Sequence, residues 1–292
     1  MGSPAERVGE VLDDRYRLEQ LIGRGAMADV FRALDQHTNA AVAVKVLRLA
    51  LSTSEGEAVR RFAREAHVQA LIRHRNVAAL YGSGVTRRGE PFLVVELLRG
   101  KSLRTVIKGE GRIAPARATS YAWQALQGLA AVHERGILHR DLKPANLMLE
   151  PSPGPVDRVI LIDFGFATLE GDSRLTQAGH VVGSLTYLAP ERLRGDPAEA
   201  RSDVYSLGVI LYELVTGKAP FIGDDDFDLI ARHLDDPPPP IAPLMPDPAA
   251  AAVLEPIIGR ALAKRVEDRY GSALDMAHAL ELASRAIAPG LR

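Results

Sequence analysis

The sequence predicts an α+β chain in which a small β-rich part precedes a larger, mainly helical one. Three observations carry that reading. Residues Tyr16 to Val46 show a strand-like pattern broken by turn signals, and Phe92 to Glu96 reads as another strand. Past the polar turn Arg99-Gly100-Lys101-Ser102 the period becomes helical, over Pro115 to Glu134, Ser202 to Leu214 and Ala250 to Ile287. The length, 292 residues, suits one large domain or two lobes.

Taken in order, residues 1–15 are polar and read as a frayed arm. Alternation in Ala41 to Leu47 puts Ala43 and Lys45 on one face and Val42, Val44 and Val46 on the other. Ser54 with Glu57 three residues on forms a capping box. The helix it opens carries Val59, Phe62, Ala63, Ala66 and Ala70 on one stripe. In the long helix from Pro115, the residues Ala122, Leu126, Leu129, Ala130 and His133 recur at helical spacing, and Gly136 supplies the stop. Leu207, Ile210, Leu211 and Leu214 form the buried stripe of the next strong helix. The prolines Pro237 to Pro240 read as a rigid surface strap.

Composition excludes several classes of function. There are 36 Lys+Arg against 37 Asp+Glu, a net charge of −1, which argues against nucleic acid as the main partner. With no cysteine, disulfides, thiolate nucleophiles and cysteine-ligated metals are ruled out. No apolar run approaches the roughly 20 residues of a membrane span. Tyr205 to Val215 is too short and contains Glu213. The expectation is a cytoplasmic globular protein with no membrane segment.

The chemistry lies in the motifs. Gly23-Arg24-Gly25 sits between strand patterns, where glycines let backbone N–H groups approach a phosphate. An isolated Gly-x-Gly is more often a plain turn, and this one is not a dinucleotide fingerprint, because a strand follows and Ala28 stands at the third glycine position. Lys45, between Val44 and Val46, is an odd place for a solvating charge, and Glu65 offers it a partner. Further on, His139-Arg140-Asp141-Leu142-Lys143-Pro144-Ala145-Asn146 precedes the apolar run Leu147-Met148-Leu149. Asp163-Phe164-Gly165 begins 17 residues after Asn146 (163 − 146). A carboxylate to accept a hydroxyl proton and oxygen ligands for Mg²⁺ are what phosphoryl transfer needs.

In this order the motifs, with Ala189-Pro190-Glu191, resemble those of eukaryotic-type serine/threonine protein kinases, most of all bacterial members, over about residues 16–285. The resemblance implies the bilobal kinase fold, with one regulatory helix in a small β-rich N-lobe over 16–95, a hinge at 96–100, a mainly α-helical C-lobe over 101–285 and a tail at 286–292. It implies ATP and Mg²⁺, with Mn²⁺ as an alternative, and protein substrates. Lys45 would hold the α/β phosphates and pair with Glu65, Asp141 would be the catalytic base, and Lys143 would steady the γ-phosphoryl group. Asn146 and Asp163 would bind metal. Gly23, Gly25, Val30, Ala43, Met148 and Ile162 would contact the nucleotide, with Val95 as gatekeeper and Glu96 to Leu98 as hinge. Asp203 would brace the His-Arg-Asp backbone, and Glu191 and Arg269 would form a buried ion pair. The stretch 163–191 would be the activation segment, with Ser173, Thr176, Ser184 and Thr186 as hydroxyls, Thr176 as the favoured autophosphorylation site and Ser184 as part of the substrate loop. Bacterial relatives also suggest a homodimer through the N-lobe.

Three departures stand out: Ala28 for glycine, Ala145 where kinases preferring basic peptides often carry glutamate, and Gln69 where the family normally places an apolar residue. Two other readings compete. A pseudokinase scaffold usually lacks one of the lysine, base or metal positions, all of which are present here. A small-molecule kinase lacks the Ala-Pro-Glu motif and the long activation segment.

Overall fold

In the computed structural model, which describes residues 4–25, 28–48, 55–154, 156–163 and 185–287, the alternating segments form an antiparallel sheet. Its strands are β1 (Val11–Leu12), β2 (Tyr16–Arg24), β3 (Ala28–Asp35), β4 (Ala40–Leu47), β5 (Leu80–Val85) and β6 (Pro91–Val95), in the spatial order β1-β2-β3-β4-β6-β5. Register decides which side chains share a face. Val30 lies opposite Lys45, Lys45 opposite Leu93, and Ala43 opposite Val95. Paired and alternate residues point the same way, so Val30, Ala43, Lys45 and Val95 share one face. The other carries Phe31, Val44 and Val94, all fully buried, in a core closed by Leu12, Tyr16 and Leu18.

That core corrects the expected N-terminal arm. β1 pairs with β2, and Leu12 is 3% exposed. Arg7 is buried between Glu10 and Glu90, at 2.9 Å from each. Arg15 forks onto Asp35 with two bonds of 2.7 Å. The polarity that suggested fraying is spent on ion pairs that tie the segment down.

Helix α1 (Glu55–Ala70) buries Phe62, Ala66 and Gln69, whereas Ala63 and Ala70 of the expected stripe are exposed. Ser54 and the Val59 side chain lie outside the described residues. Residues Met1–Arg99 make up one compact unit and Gly100–Arg292 a second.

The second unit holds a small sheet of β7 (Lys101–Ser102), β8 (Leu147–Glu150) and β9 (Arg158–Leu161), with helices α2 (Leu103–Glu110) and α3 (Pro115–His133). Then follow α4 (Pro190–Leu193), α5 (Ala200–Thr216), α6 (Asp226–Asp235), α7 (Pro248–Ala261) and α8 (Ala273–Ile287). Every residue of α5 from Ser202 to Thr216 is buried, and the helix stops at Gly217, whose φ of 84° needs glycine. α5 passes close to α7: a Cβ on Gly208 would meet that of Ala261 at 2.8 Å. The single helical run expected from Ala250 to Ile287 is two helices, because residues 262–272 break the pattern. α8 ends at Ile287, where the helical period ends, and so runs two residues past the lobe boundary at 285.

Candidate active site

The predicted residues fall into two groups, one in each unit. In the first, β2 and β3 stay paired up to Gly23 opposite Val30 and Arg24 opposite Asp29, and the Gly25 N–H closes the hairpin onto the Ala28 carbonyl at 2.9 Å. Among the described residues, a Cβ added at Gly23 or Gly25 would find only ordinary contacts, the nearest at 3.5 and 3.6 Å, and neither glycine has a positive φ. Val30, Lys45, Val95, Glu96 and Leu98 are half-buried, and Ala43 is 6% exposed. The Glu96 N–H donates to the Ala79 carbonyl at 2.9 Å. Ala26, Met27 and the Glu65 side chain lie outside the described residues.

In the second unit the loop after α3 is held from beneath by one carboxylate. Asp203, 2% exposed in the first turn of α5, accepts the backbone N–H groups of His139 (2.9 Å) and Arg140 (3.0 Å). His133 Nε2 lies 2.8 Å from the same carboxylate. Burial pushes the Asp203 carboxyl up, but the His133 hydrogen bond and charge outweigh it and hold it below the usual range. His139 is fully enclosed, and burial pushes its imidazole towards the neutral form. These bonds hold Arg140 at a φ of +66°, a conformation costing a non-glycine residue about 1–3 kcal/mol.

The loop converges on Asp141. Lys143 Nζ lies 3.0 and 2.7 Å from its two carboxylate oxygens. Asn146 Nδ2 donates to the Asp141 carbonyl at 2.8 Å and to its Oδ2 at 3.1 Å. With the amide nitrogen so used, the Asn146 side chain has its Oδ1 to offer a cation. The Ile162 N–H donates to the Asn146 carbonyl at 3.0 Å, which ties the residue before Asp163 to the loop, and Asp163 itself has a φ of +59°. Among the described residues no group of three or more His, Cys, Asp or Glu side chains gathers as a metal cage. Asn146 and Asp163 fit instead a hard cation that keeps waters and phosphate oxygens as its other ligands. Met148, opposite Ile160 in the β8–β9 pair, is half-buried, as is Ile162. Phe164 and Gly165 lie outside the described residues, with Ser173, Thr176 and Ser184.

The expected buried ion pair is present. Arg269 reaches Glu191 with bonds of 2.9 and 2.7 Å, and the Ser202 hydroxyl donates to the same carboxylate at 2.6 Å. Sequence reasoning missed three partners. The Ser202 hydroxyl is one. His133, which recurs at helical spacing with Ala122, Leu126, Leu129 and Ala130, is another, and it steadies Asp203. Glu213 accepts the Tyr187 hydroxyl at 2.6 Å and an Arg104 N–H at 3.2 Å, which anchors residues 185–187 to α5. A lone carboxylate inside an apolar helix was the available signal.

A family model described as the protein kinase domain matches residues 16–276. A probable serine/threonine-protein kinase of Corynebacterium efficiens is 40% identical over 282 residues, covering 94% of this chain and 42% of the relative. Serine/threonine-protein kinase PknB of Mycobacterium tuberculosis is 40% identical over 271 residues, covering 91% of this chain and 42% of PknB. This chain thus spans less than half the length of these relatives. Among solved structures, the kinase domain of Mycobacterium tuberculosis PknI superposes with a TM-score of 0.74 at 25% identity, covering 94% of this chain and 98% of that one. Among the described residues no helix is long and apolar enough to cross a membrane. With the motifs, their geometry and this match spanning most of its length, the chain belongs to the protein kinase family.

Proposed function

We propose that the chain is the catalytic domain, over about 16–285 with its joint at 96–100, of a bacterial serine/threonine protein kinase acting in signal transduction. It transfers the γ-phosphoryl group of ATP to protein Ser or Thr hydroxyls. The observation that carries this reading is the Asp141–Lys143–Asn146 cluster. Asp141 accepts the hydroxyl proton, and Lys143, already against it, steadies the transferring group. Asn146 shapes the carboxylate's position through its two donated bonds.

Asn146 and Asp163 hold the metal, Mg²⁺ with Mn²⁺ as the alternative, which when bound neutralises phosphate charge. Lys45 takes the α/β phosphates with Glu65 as its partner, and Gly23 and Gly25 lend backbone N–H groups. Val30, Ala43 and Val95, on the Lys45 face of the sheet, give the adenine an apolar wall. Glu96 and Leu98 bind the base through the backbone, and Met148 and Ile162 are assigned to the base as well. The proposal includes autophosphorylation within 163–191, favouring Thr176, a cytoplasmic location, and pairing of two copies through residues 16–95. Tyr81 and Val85, exposed on edge strand β5, support such pairing.

Intact mass after incubation with ATP and Mg²⁺ tests the reading. The wild type should gain phosphate, and Asp141→Asn should be slower by at least ~100-fold. Equal gain in both overturns the role of Asp141. A wild type that binds nucleotide but gains no phosphate overturns catalysis in favour of a scaffold.

A further inference from the structure

The hairpin that carries Gly23 and Gly25 is tied to the lysine strand by an ion pair that none of the roles above assigns. Asp29 is the second residue of β3 and is 7% exposed. It lies opposite Arg24 on β2 and opposite Val46 on β4. Its carboxylate is forked by Arg48, which follows β4: Nε donates to Oδ2 at 3.2 Å, and Nη2 contacts Oδ1. Arg24, from between the two glycines, brings a second guanidinium to 3.8 Å.

The position of this pair in the register matters. The rung Val30–Lys45 adjoins the rung Asp29–Val46, and Ala28 pairs with Leu47 beyond it. Residues 29, 46 and 48 alternate away from Lys45, so the carboxylate and Arg48 lie on the opposite face from the lysine. Between the last β2–β3 rung and the tip, the described backbone contact is the single Gly25–Ala28 bond. A two-bond fork in a rigid plane fixes position as well as distance. The hydrogen bonding that Arg48 donates to the Asp29 carboxylate accordingly raises the guanidinium pKa above its ordinary value.

We infer that Asp29 and Arg48 are positioning residues for the phosphates of ATP: their ion pair sets the spacing between the backbone N–H groups of the glycine hairpin and Lys45 without touching the nucleotide. This rests on the reading of Gly23, Gly25 and Lys45 as phosphate-binding. The consequence is selective. Loss of the pair weakens ligands that carry the triphosphate and spares those that end at the ribose.

Titration calorimetry with Mg·ATP and with adenosine, on wild type, Arg48→Gln, Asp29→Asn and the double variant, tests this. Arg48→Gln should weaken Mg·ATP by about 3- to 10-fold and leave adenosine unchanged. In the Asp29→Asn background, where the charge and one of the two acceptor oxygens are gone, the same substitution should cost less. Arg48→Lys, which keeps the charge but loses the fork, should weaken Mg·ATP to an intermediate degree and serves if Arg48→Gln fails to fold. An equal loss for ATP and adenosine overturns the inference, as does the same Arg48 effect with and without Asp29. A wild type that binds adenosine but gains nothing from the triphosphate overturns the phosphate reading itself. A wild type that binds ATP tightly, with variants that match it, overturns only the role of the pair.

Discussion

The loop from His139 to Asn146 and the hairpin from Gly23 to Val30 solve the same problem in opposite ways. Each must present polar groups in a fixed array. The loop is braced from below by a buried charge: Asp203 receives two backbone N–H groups and His133, and so holds a backbone conformation that Arg140 would not adopt alone. The hairpin is held from the side by strand register, a tip bond and the partly exposed Asp29–Arg48 pair. The first brace is a buried carboxylate and the second a partly exposed ion pair, so loss of the first should cost more.

Breaking the brace should therefore give the largest effect. Asp203→Asn keeps the shape but removes the charge that two backbone donors and His133 share. It should cost about 3–5 kcal/mol in urea unfolding. Phosphate transfer per folded molecule should fall by at least ~100-fold, because the loop shifts Asp141. The contrast with Arg48→Gln, where loss is small and confined to phosphate-bearing ligands, is the comparison in numbers. A variant with wild-type midpoint and rate would show that Asp203 braces nothing.

A second anchor in the same unit depends on pH. His233 of α6 is fully buried, with Nδ1 2.9 Å from the Tyr205 hydroxyl and its ring 4.7 Å from that of Phe221. Burial first, and then the charge of Lys264, lower its pKa to about 4. Between pH 6.5 and 4 the unfolded chain therefore binds a proton that the folded one does not. The contribution is fully present above pH 6.5 and is lost as pH falls towards 4, by about 3 kcal/mol. Urea midpoints of wild type and His233→Phe across this range should show a steeper acid loss in the wild type. Parallel curves would remove His233 from the account.

How much of this was legible in the sequence follows from the kind of contact involved. Asp141, Lys143, Asn146 and Asp163 lie in short motifs close to strand and helix ends, so motif order and the resemblance it carries picked them out. Glu191, Asp203 and Arg269 were found through their motifs. Their partners were not: His133 and Ser202 have the spacing of ordinary helix residues, and only tertiary packing turns them towards a carboxylate. The N-terminal segment misled for a related reason. Arg7 and Arg15 read as solvated charges until Glu90, in the turn between β5 and β6, and Asp35, on β3, supply their distant partners. Polarity in a sequence does not say whether a charge meets water or another charge.

Gln69 gives the smallest effect and tests the other side of the comparison, because it is a buried polar group in the first unit that lacks what Asp203 has. It is 5% exposed on the inner stripe of α1, beside Phe62 and Ala66 in helical register, and its Oε1 has no hydrogen-bond partner among the described residues. A carbonyl buried in that way carries its desolvation cost with no return. Methionine has similar length, good helix propensity and a flexible apolar tip. Gln69→Met should therefore stabilise the protein by about 1 kcal/mol and raise Tm by ~2–4 °C. A calorimetric scan of the two proteins reads this directly. A lower Tm in the variant would mean that the amide is satisfied in solution, and that α1 is anchored there by a bond of the kind that braces the Asp141 loop.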